Sequence, residues 1–375
     1  MTVMRRVLLI VAVALLAAPV GWGAEPGGNV VLVLIDGMRW QETFRGAEAD
    51  LLDRKRGGVA EPEKARERWW RPTAQERRQL LMPFLWQVVA AQGQLIGDRD
   101  RGSAVAVSNP HRFSYPGYSE MIVGFVDPRV NSNKSYVNPN RSVLEWLANR
   151  PGFAGRVAVF GAWARVFDIA GRGRNGVYVN AAFDAVTVGD VSPRQELLNR
   201  LKVETVPPWS GEPHDAFTFY AALEYISANR PRVLWLTFGE TDERAHERRY
   251  DLYLDAAHRD DAYLRALWET LQSMDGYAGH TTLIVAVDHG RGRTRKDWTD
   301  HGAKVKGADE IWLAILGSHT PPLGSRTGHD AVTLSQVAAT VAAAVGEDYP
   351  AAEARAARPI QGVLAPPPAA TTPLP

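Results

Sequence analysis

The sequence predicts an α/β fold, with a largely parallel central sheet and helices on both faces. Two observations carry this expectation. Five short runs are apolar throughout, as strands covered on both faces are: "NVVLVLID" (29–36), "GRVAVFGA" (155–162), "RVLWLTFGE" (232–240), "TTLIVAVDHG" (281–290) and "EIWLAILG" (310–317). Between them lie helix-like segments: "RSVLEWLANR" (141–150), "DAFTFYAALEYISANR" (215–230), "RDDAYLRALWETLQSM" (259–274) and "TLSQVAATVAAAVG" (333–346). Buried runs alternating with amphipathic segments are the pattern of a parallel sheet with crossover helices. In such sheets functional groups gather just beyond the carboxyl ends of the strands, so those ends are where chemistry is expected.

At the N-terminus, Arg5 and Arg6 precede an apolar run from Val7 to about Pro19, followed by small residues around Gly21–Ala24. That order is a secretory signal, assigned to residues 1–24, and the run is short for a membrane span of roughly 20 residues. Export to a periplasm or beyond is expected, in a bacterial setting, with no stable membrane anchor after cleavage. The chain has no cysteine, which excludes disulfides, thiolate metal sites and a thiol nucleophile. Its 43 Lys+Arg against 42 Asp+Glu leave no basic field for nucleic acid or an anionic membrane. An anionic substrate must therefore be handled locally.

Residues 25–350 read as one domain. Within it, 45–79 is a charged insertion with adjacent Trp69 and Trp70, expected to be solvated, with a cap over a substrate pocket as the alternative. Residues 351–375 are rich in Pro and Ala and read as a disordered tail. "GRGRNG" (171–176) matches a dinucleotide fingerprint in letters only: the next residues, "VYVNAAF", look like a strand where that motif opens a helix.

The strand ends carry a consistent set of side chains. Asp36 closes the first run, and Asp242 and His246 follow the third, four residues apart on one helical face. Asp288 and His289 close the fourth, and His301 lies in "WTDHG". Carboxylates and imidazoles without a thiolate suit Zn²⁺, and Mn²⁺ or Fe also fits such donors. A nucleophile is offered by Ser114 in "SNPHRFSYPGYSEMIVGF" (108–125), at an expected strand-to-helix turn. There its hydroxyl could be activated by a metal, or serve merely as a helix N-cap.

The order "VLVLIDG", "FSYPGYSEMIVG", "TFGETDERAH", "VAVDHG", "DHG" resembles the alkaline phosphatase superfamily, notably its nucleotide pyrophosphatase/phosphodiesterase and phosphoglycerate-mutase-like branches, over about residues 29–345. The resemblance implies an alkaline-phosphatase-like fold and two divalent ions. Asp36, Ser114, Asp288 and His289 match the ligands of one, and Asp242, His246 and His301 those of the other. It implies a phosphohydrolase acting on phosphate mono- or diesters of a small phosphorylated substrate, through a phosphoserine on Ser114. Phosphoryl transfer to an alcohol, or a degenerate metal- or ligand-binding member, are the alternatives. His329 competes with His301 as last ligand. Asn133, nineteen residues after Ser114, matches an Asn that relatives place on the phosphoryl oxygen, with Asn131 and Lys134 as rivals. Sulfatases of the superfamily use a Cys/Ser-x-Pro-x-Arg signal, and here Tyr118 stands where Arg is needed. Neither Arg112 nor Arg129 aligns as a phosphate clamp. The substrate's identity and the oligomeric state are not legible.

Overall fold

The computed structural model describes residues 27–365, apart from 190, 329 and 330. The signal segment 1–24 and the last ten residues of the tail lie outside the described residues. Eleven strands are described: β1 (Asn29–Ile35), β2 (Gln94–Ile96), β3 (Val105–Ala106), β4 (Val157–Gly161), β5 (Tyr178–Ala181), β6 (Val233–Phe238), β7 (Thr281–Ala286), β8 (Glu310–Ile311), β9 (Leu313–Gly317), β10 (Gly324–Ser325) and β11 (Val332–Thr333).

The main sheet runs in the order β10-β2-β9-β7-β1-β6-β4-β5, and β11-β3-β8 form a small second sheet. From β7 through β1, β6 and β4 to β5 every pairing is parallel, while β9 runs antiparallel to both neighbours, β2 and β7. Every residue of β1, β4, β6 and β7 is buried. Side chains alternate across a strand, so both faces are covered, which is why these runs show no apolar/polar alternation. The helix Asp215–Asn229 packs on β4 and β6, and Gln336–Ala344 on β1.

Three sequence expectations are adjusted. The run 310–317 is two strands, because it passes from the small sheet, where β8 pairs with β3, to the main one, where β9 pairs with β2 and β7; buried Trp312 lies between them and donates its indole N–H to Met38 O at 3.2 Å. The helix expected at 259–274 begins earlier and spans Tyr250–Ser273. The expected disordered tail is ordered up to 365: Tyr349–Ala352 is helical, and Ile360 and Val363 are buried in the core. Two apolar side chains in a Pro/Ala-rich stretch were enough to anchor it.

The charged segment 45–79 folds as helices ending at Trp69 and beginning again at Ala74, the second opened by a Thr73–Glu76 capping box. Most of its polar side chains face solvent. Trp69 is buried edge-on against His258, and Trp70 lies under the Arg77 guanidinium, so both tryptophans pack the insertion down. At 171–176, Gly171, Gly173 and Gly176 all have positive φ, and β5 follows directly: this is a turn into a strand.

Candidate metal centre and nucleophile

Adjacent parallel strands bring the acidic ends together. β7, β1 and β6 are neighbours, and Asp288, Asp36 and Asp242 each leave the same edge just past their strands. Neighbouring strands lie about 4.8 Å apart, so side chains at their ends can meet at one ion. Two groups form there: Asp36, Asp288 and His289, and Asp242, His246 and His301, with ligand atoms inside each group within 4.8 Å of one another.

The first group is fully enclosed. A carbonyl can only accept, so the 3.0 Å contact of His289 Nδ1 with Gly290 O puts the ring proton on Nδ1. Nε2 then turns a bare lone pair toward Asp36 Oδ1 at 3.3 Å, Asp288 Oδ2 at 3.4 Å and Asp242 Oδ1 at 3.6 Å. Asp36 Oδ1 and Asp288 Oδ2 are buried with no hydrogen-bond partner. Their second oxygens are used: Tyr118 Oη donates to Asp36 Oδ2 at 2.9 Å, and Gly37 N–H to Asp288 Oδ1 at 3.1 Å. Oxygen and nitrogen lone pairs facing one another in a buried pocket repel unless a proton or cation sits among them.

The electrostatics agree with that crowding. Burial, with the Asp242 charge beside it, pushes Asp36 up to about 7, and burial with Asp36 raises Asp288 well above the carboxylate range. Burial pulls His289 down to about 4. The second group is more open. Asp242 Oδ2 meets His246 Nε2 at 3.0 Å, and His301 Nε2 meets His246 Nε2 at 3.1 Å. The His301 ring stacks on His289 with centroids 4.1 Å apart, and its Nδ1 is buried without a partner. Burial, then the His289 ring, lowers His301 to about 3. The donor sets are carboxylate and imidazole only; the orphaned Asp36 Oδ1 and Asp288 Oδ2 face His289 Nε2, and His301 Nε2 faces His246 and Asp242, so both groups fit divalent cations.

Ser114 completes the arrangement. It is the first residue of the helix Ser114–Val123, whose N-cap is Phe113, so the hydroxyl does not cap. Instead Oγ lies 3.4 Å from His289 Nε2. Gly117, in the same turn, lies against the Asp288 backbone, where a Cβ would come within 2.4 Å of Asp288 O. Asn133 Oδ1 accepts the Tyr115 N–H at 2.9 Å, which brings Asn133 to the first turn beside Ser114. Its rivals are not so placed: Asn131 donates to Pro128 O, and Lys134 N–H to Ser132 Oγ. Arg129 is held by Asp127 and Asn140, and Arg112 pairs with Asp309. His329 lies outside the described residues.

Two residues at this site were not anticipated from the sequence. Arg291, three residues after Asp288, is buried and donates to Gly37 O (3.1 Å), Thr299 O, and both the backbone and the carboxylate of Asp242. Burial works against the Asp242 charge, but Arg291 and His246 outweigh it and hold that carboxyl well below its usual range. An Arg right after "DHG" in an otherwise buried run was the available signal. Glu212 gave none: it sits in 163–214, buried, with Oε1 unpartnered and lying over Gly239 at the end of β6.

No protein-family model matches the chain, and no curated protein matches it in sequence. Solved structures do match. They include the alkaline phosphatase PafA (TM-score 0.57, 10% identity, 91% of this chain and 100% of that one). The phosphonate monoester hydrolase SpPMH from Silicibacter pomeroyi matches with TM-score 0.55, 14% identity, and 89% and 76% of the two chains. A 2-O GAG sulfatase matches with TM-score 0.54, 13% identity, and 88% and 73% coverage. At such identities the likeness speaks to fold. The chain has the alkaline-phosphatase-like fold, as the motif order implied.

Proposed function

We propose that the chain is a member of the alkaline phosphatase superfamily that hydrolyses phosphate mono- or diesters, with Ser114 as nucleophile. The observation that carries the reading is the convergence of Ser114 Oγ with three carboxylates and three imidazoles at the ends of β1, β6 and β7. Asp36, Ser114, Asp288 and His289 would hold one cation, and Asp242, His246 and His301 the other, zinc being the ion such donors suit best. Bound there, two cations supply Lewis-acid charge that lowers the serine hydroxyl's pKa and neutralises phosphoryl oxygens.

The chain's own groups do the rest. Ser114 Oγ attacks phosphorus as the P–O bond to the alcohol breaks, and the proton that Ser114 gives up ends on the departing oxygen, leaving phosphoserine and the released alcohol. Water then attacks phosphorus from the opposite side, the Oγ–P bond breaks, and one of the water's protons returns to Ser114 as phosphate leaves, or a phosphate monoester where the substrate is a diester. Tyr118 fixes Asp36 by donating to Oδ2, and the Gly37 N–H fixes Asp288. Among the described residues only Asn133 Oδ1 is engaged, by Tyr115 N–H, which leaves Nδ2 to donate to a phosphoryl oxygen.

Sulfate-ester hydrolysis, the activity of one fold neighbour, is disfavoured because Tyr118, in the place of the signal's Arg, is committed to Asp36. No helix among the described residues is long and apolar enough to cross a membrane. Export rests on the signal pattern of residues 1–24. The test is hydrolysis of a nitrophenyl monoester and a nitrophenyl diester by the wild type and by Ser114→Ala. Loss of turnover on Ser114→Ala, with the metals still bound, is expected; undiminished turnover removes Ser114 as nucleophile.

A further inference from the structure

Although the chain is almost neutral, its cations are not spread evenly around the site. Lys55 and Arg56 from the charged insertion, Arg248, and Arg295 with Lys296 line one open cleft of about 360 Å³, floored by Trp298 and Thr299. Two of the segments that line the cleft lead into the second cation group. Arg248 follows His246 by two residues, and Thr299 precedes His301 by two. The carbonyl of Thr299 also holds the Arg291 guanidinium that braces Asp242.

The walls are tied together. Trp298 Nε1 donates to Arg56 O at 3.1 Å, and Tyr250 N–H to Gly57 O at 2.8 Å. Gly58 has φ +63°, and a Cβ there would fall 1.8 Å from Arg248 O, so glycine lets the insertion lie directly on the Arg248 backbone. Arg248 itself has φ +58° just beyond the helix Glu240–His246, a left-handed position where glycine is the usual residue. A cationic side chain is kept there against backbone preference, which points toward use.

The positive charge is largely uncompensated. Arg295 pairs with Asp50 at 2.8 Å, and Arg56 reaches Asp53 only at 3.9 Å. Such exposed pairs are weak and readily exchanged for a ligand's anion. Lys55, Arg248 and Lys296 have no side-chain hydrogen bond or ion pair among the described residues.

Resting on the phosphoester reading above, we propose that this cleft binds a second anionic group on the leaving-group portion of the substrate, so that the natural ester is a small polyanion. Ser114 lies with the Asp36–Asp288–His289 group, so an ester spanning the centre would point its alcohol portion past Asp242, His246 and His301, toward the cleft. A phosphate, sulfate or carboxylate on that portion would meet three cations with no other partner.

The test uses the metal-loaded protein and a Lys55→Ala/Arg248→Ala/Lys296→Ala variant, all three positions being exposed. Binding of a fluorescent pyrene trisulfonate is followed by anisotropy at low and high salt. Selectivity is read as kcat/KM for carboxylated nitrophenyl phosphate relative to nitrophenyl phosphate. About a tenfold loss of dye affinity is expected in the variant, with salt weakening the wild type toward it, and an equal loss of selectivity through KM. Equal dye binding by the two proteins overturns the cleft. Lost dye binding with selectivity intact overturns its role toward the substrate. Lost dye binding with no ester hydrolysed by the wild type supports the anion cleft while removing the phosphoester reading.

Discussion

Replacing Gly117 by Ala sets two physical effects against each other at the nucleophile. Gly117 is in the first turn of the helix Ser114–Val123, and in a helix alanine is favoured over glycine by roughly 1 kcal/mol. On propensity alone the substitution stabilises. The added Cβ, however, would stand 2.4 Å from Asp288 O and 3.0 Å from Asp288 Cβ. Neither is a flexible end: one is backbone, and the other belongs to a side chain whose Oδ1 is held by Gly37 N–H. Overpacking of this kind costs about 1–3 kcal/mol. The net change is a loss of up to about 2 kcal/mol in urea unfolding. Function should suffer more than stability. The helix can relieve the clash only by moving away from Asp288, which takes Ser114 Oγ from His289 Nε2, and a misplacement near 1 Å costs about 10²-fold in rate. Nitrophenyl ester hydrolysis at saturating metal, measured beside the unfolding curve, reads both. A Gly117→Ala protein that is more stable and equally active would show that the helix does not seat against Asp288 in the way described.

Arg291→Met leaves the buried Asp242 carboxylate without its main cation and is expected to cost about 3–5 kcal/mol in urea unfolding of the metal-free protein; a shift below about 1 kcal/mol would contradict that brace. In Gly239→Ala the new Cβ would fall 1.5 Å from Glu212 Oε1, so the variant should be less stable, and adding Glu212→Ala should recover most of the loss. Strictly additive losses would count against direct packing of Glu212 on Gly239. Burial pulls Lys202 down to about 8 from 10.5. Below about 8 the ammonium is charged folded and unfolded, and the fold bears the whole cost of burying it. From about 8 to 10.5 the unfolded chain holds the proton more tightly, so stability rises with pH. Lys202→Met should remove that rise and add up to about 3 kcal/mol near neutral pH; identical pH profiles for parent and variant would refute it.

Much of the fold was legible because its central strands are apolar on both faces, and a parallel sheet leaves that mark in consecutive residues rather than in alternation. β1, β6 and β7 fall where the runs "NVVLVLID", "RVLWLTFGE" and "TTLIVAVDHG" put them. Their adjacency is a property of topology, and the sequence hinted at it only through the acids at their ends. Trp312 shows the limit of reading runs: an apolar stretch that looks continuous passes there from one sheet to another. Ile360 and Val363 show another, since composition near the terminus was dominated by Pro and Ala while two side chains decided the packing.

At the site, the residues that were readable are those whose type is unusual at a strand end. Asp288-His289 stands out because burying it is costly without compensation. Arg291 was marked only by its place after "DHG"; arginine near a turn is ordinarily solvated, and its partners Gly37 O and Asp242 lie in other segments. Glu212 was hidden because its contact is with Gly239, which lies in a different segment.

The most direct measurement of the central claim is the metal content of the purified mature protein, by elemental analysis, with and without Asp288→Asn. Close to two divalent ions per chain, zinc first among them, is the expected result, falling toward one when Asp288 is changed. A protein that takes up no zinc or manganese when both are supplied would leave Asp36 Oδ1 and Asp288 Oδ2 without the partner their burial requires. The two-cation reading would then be wrong.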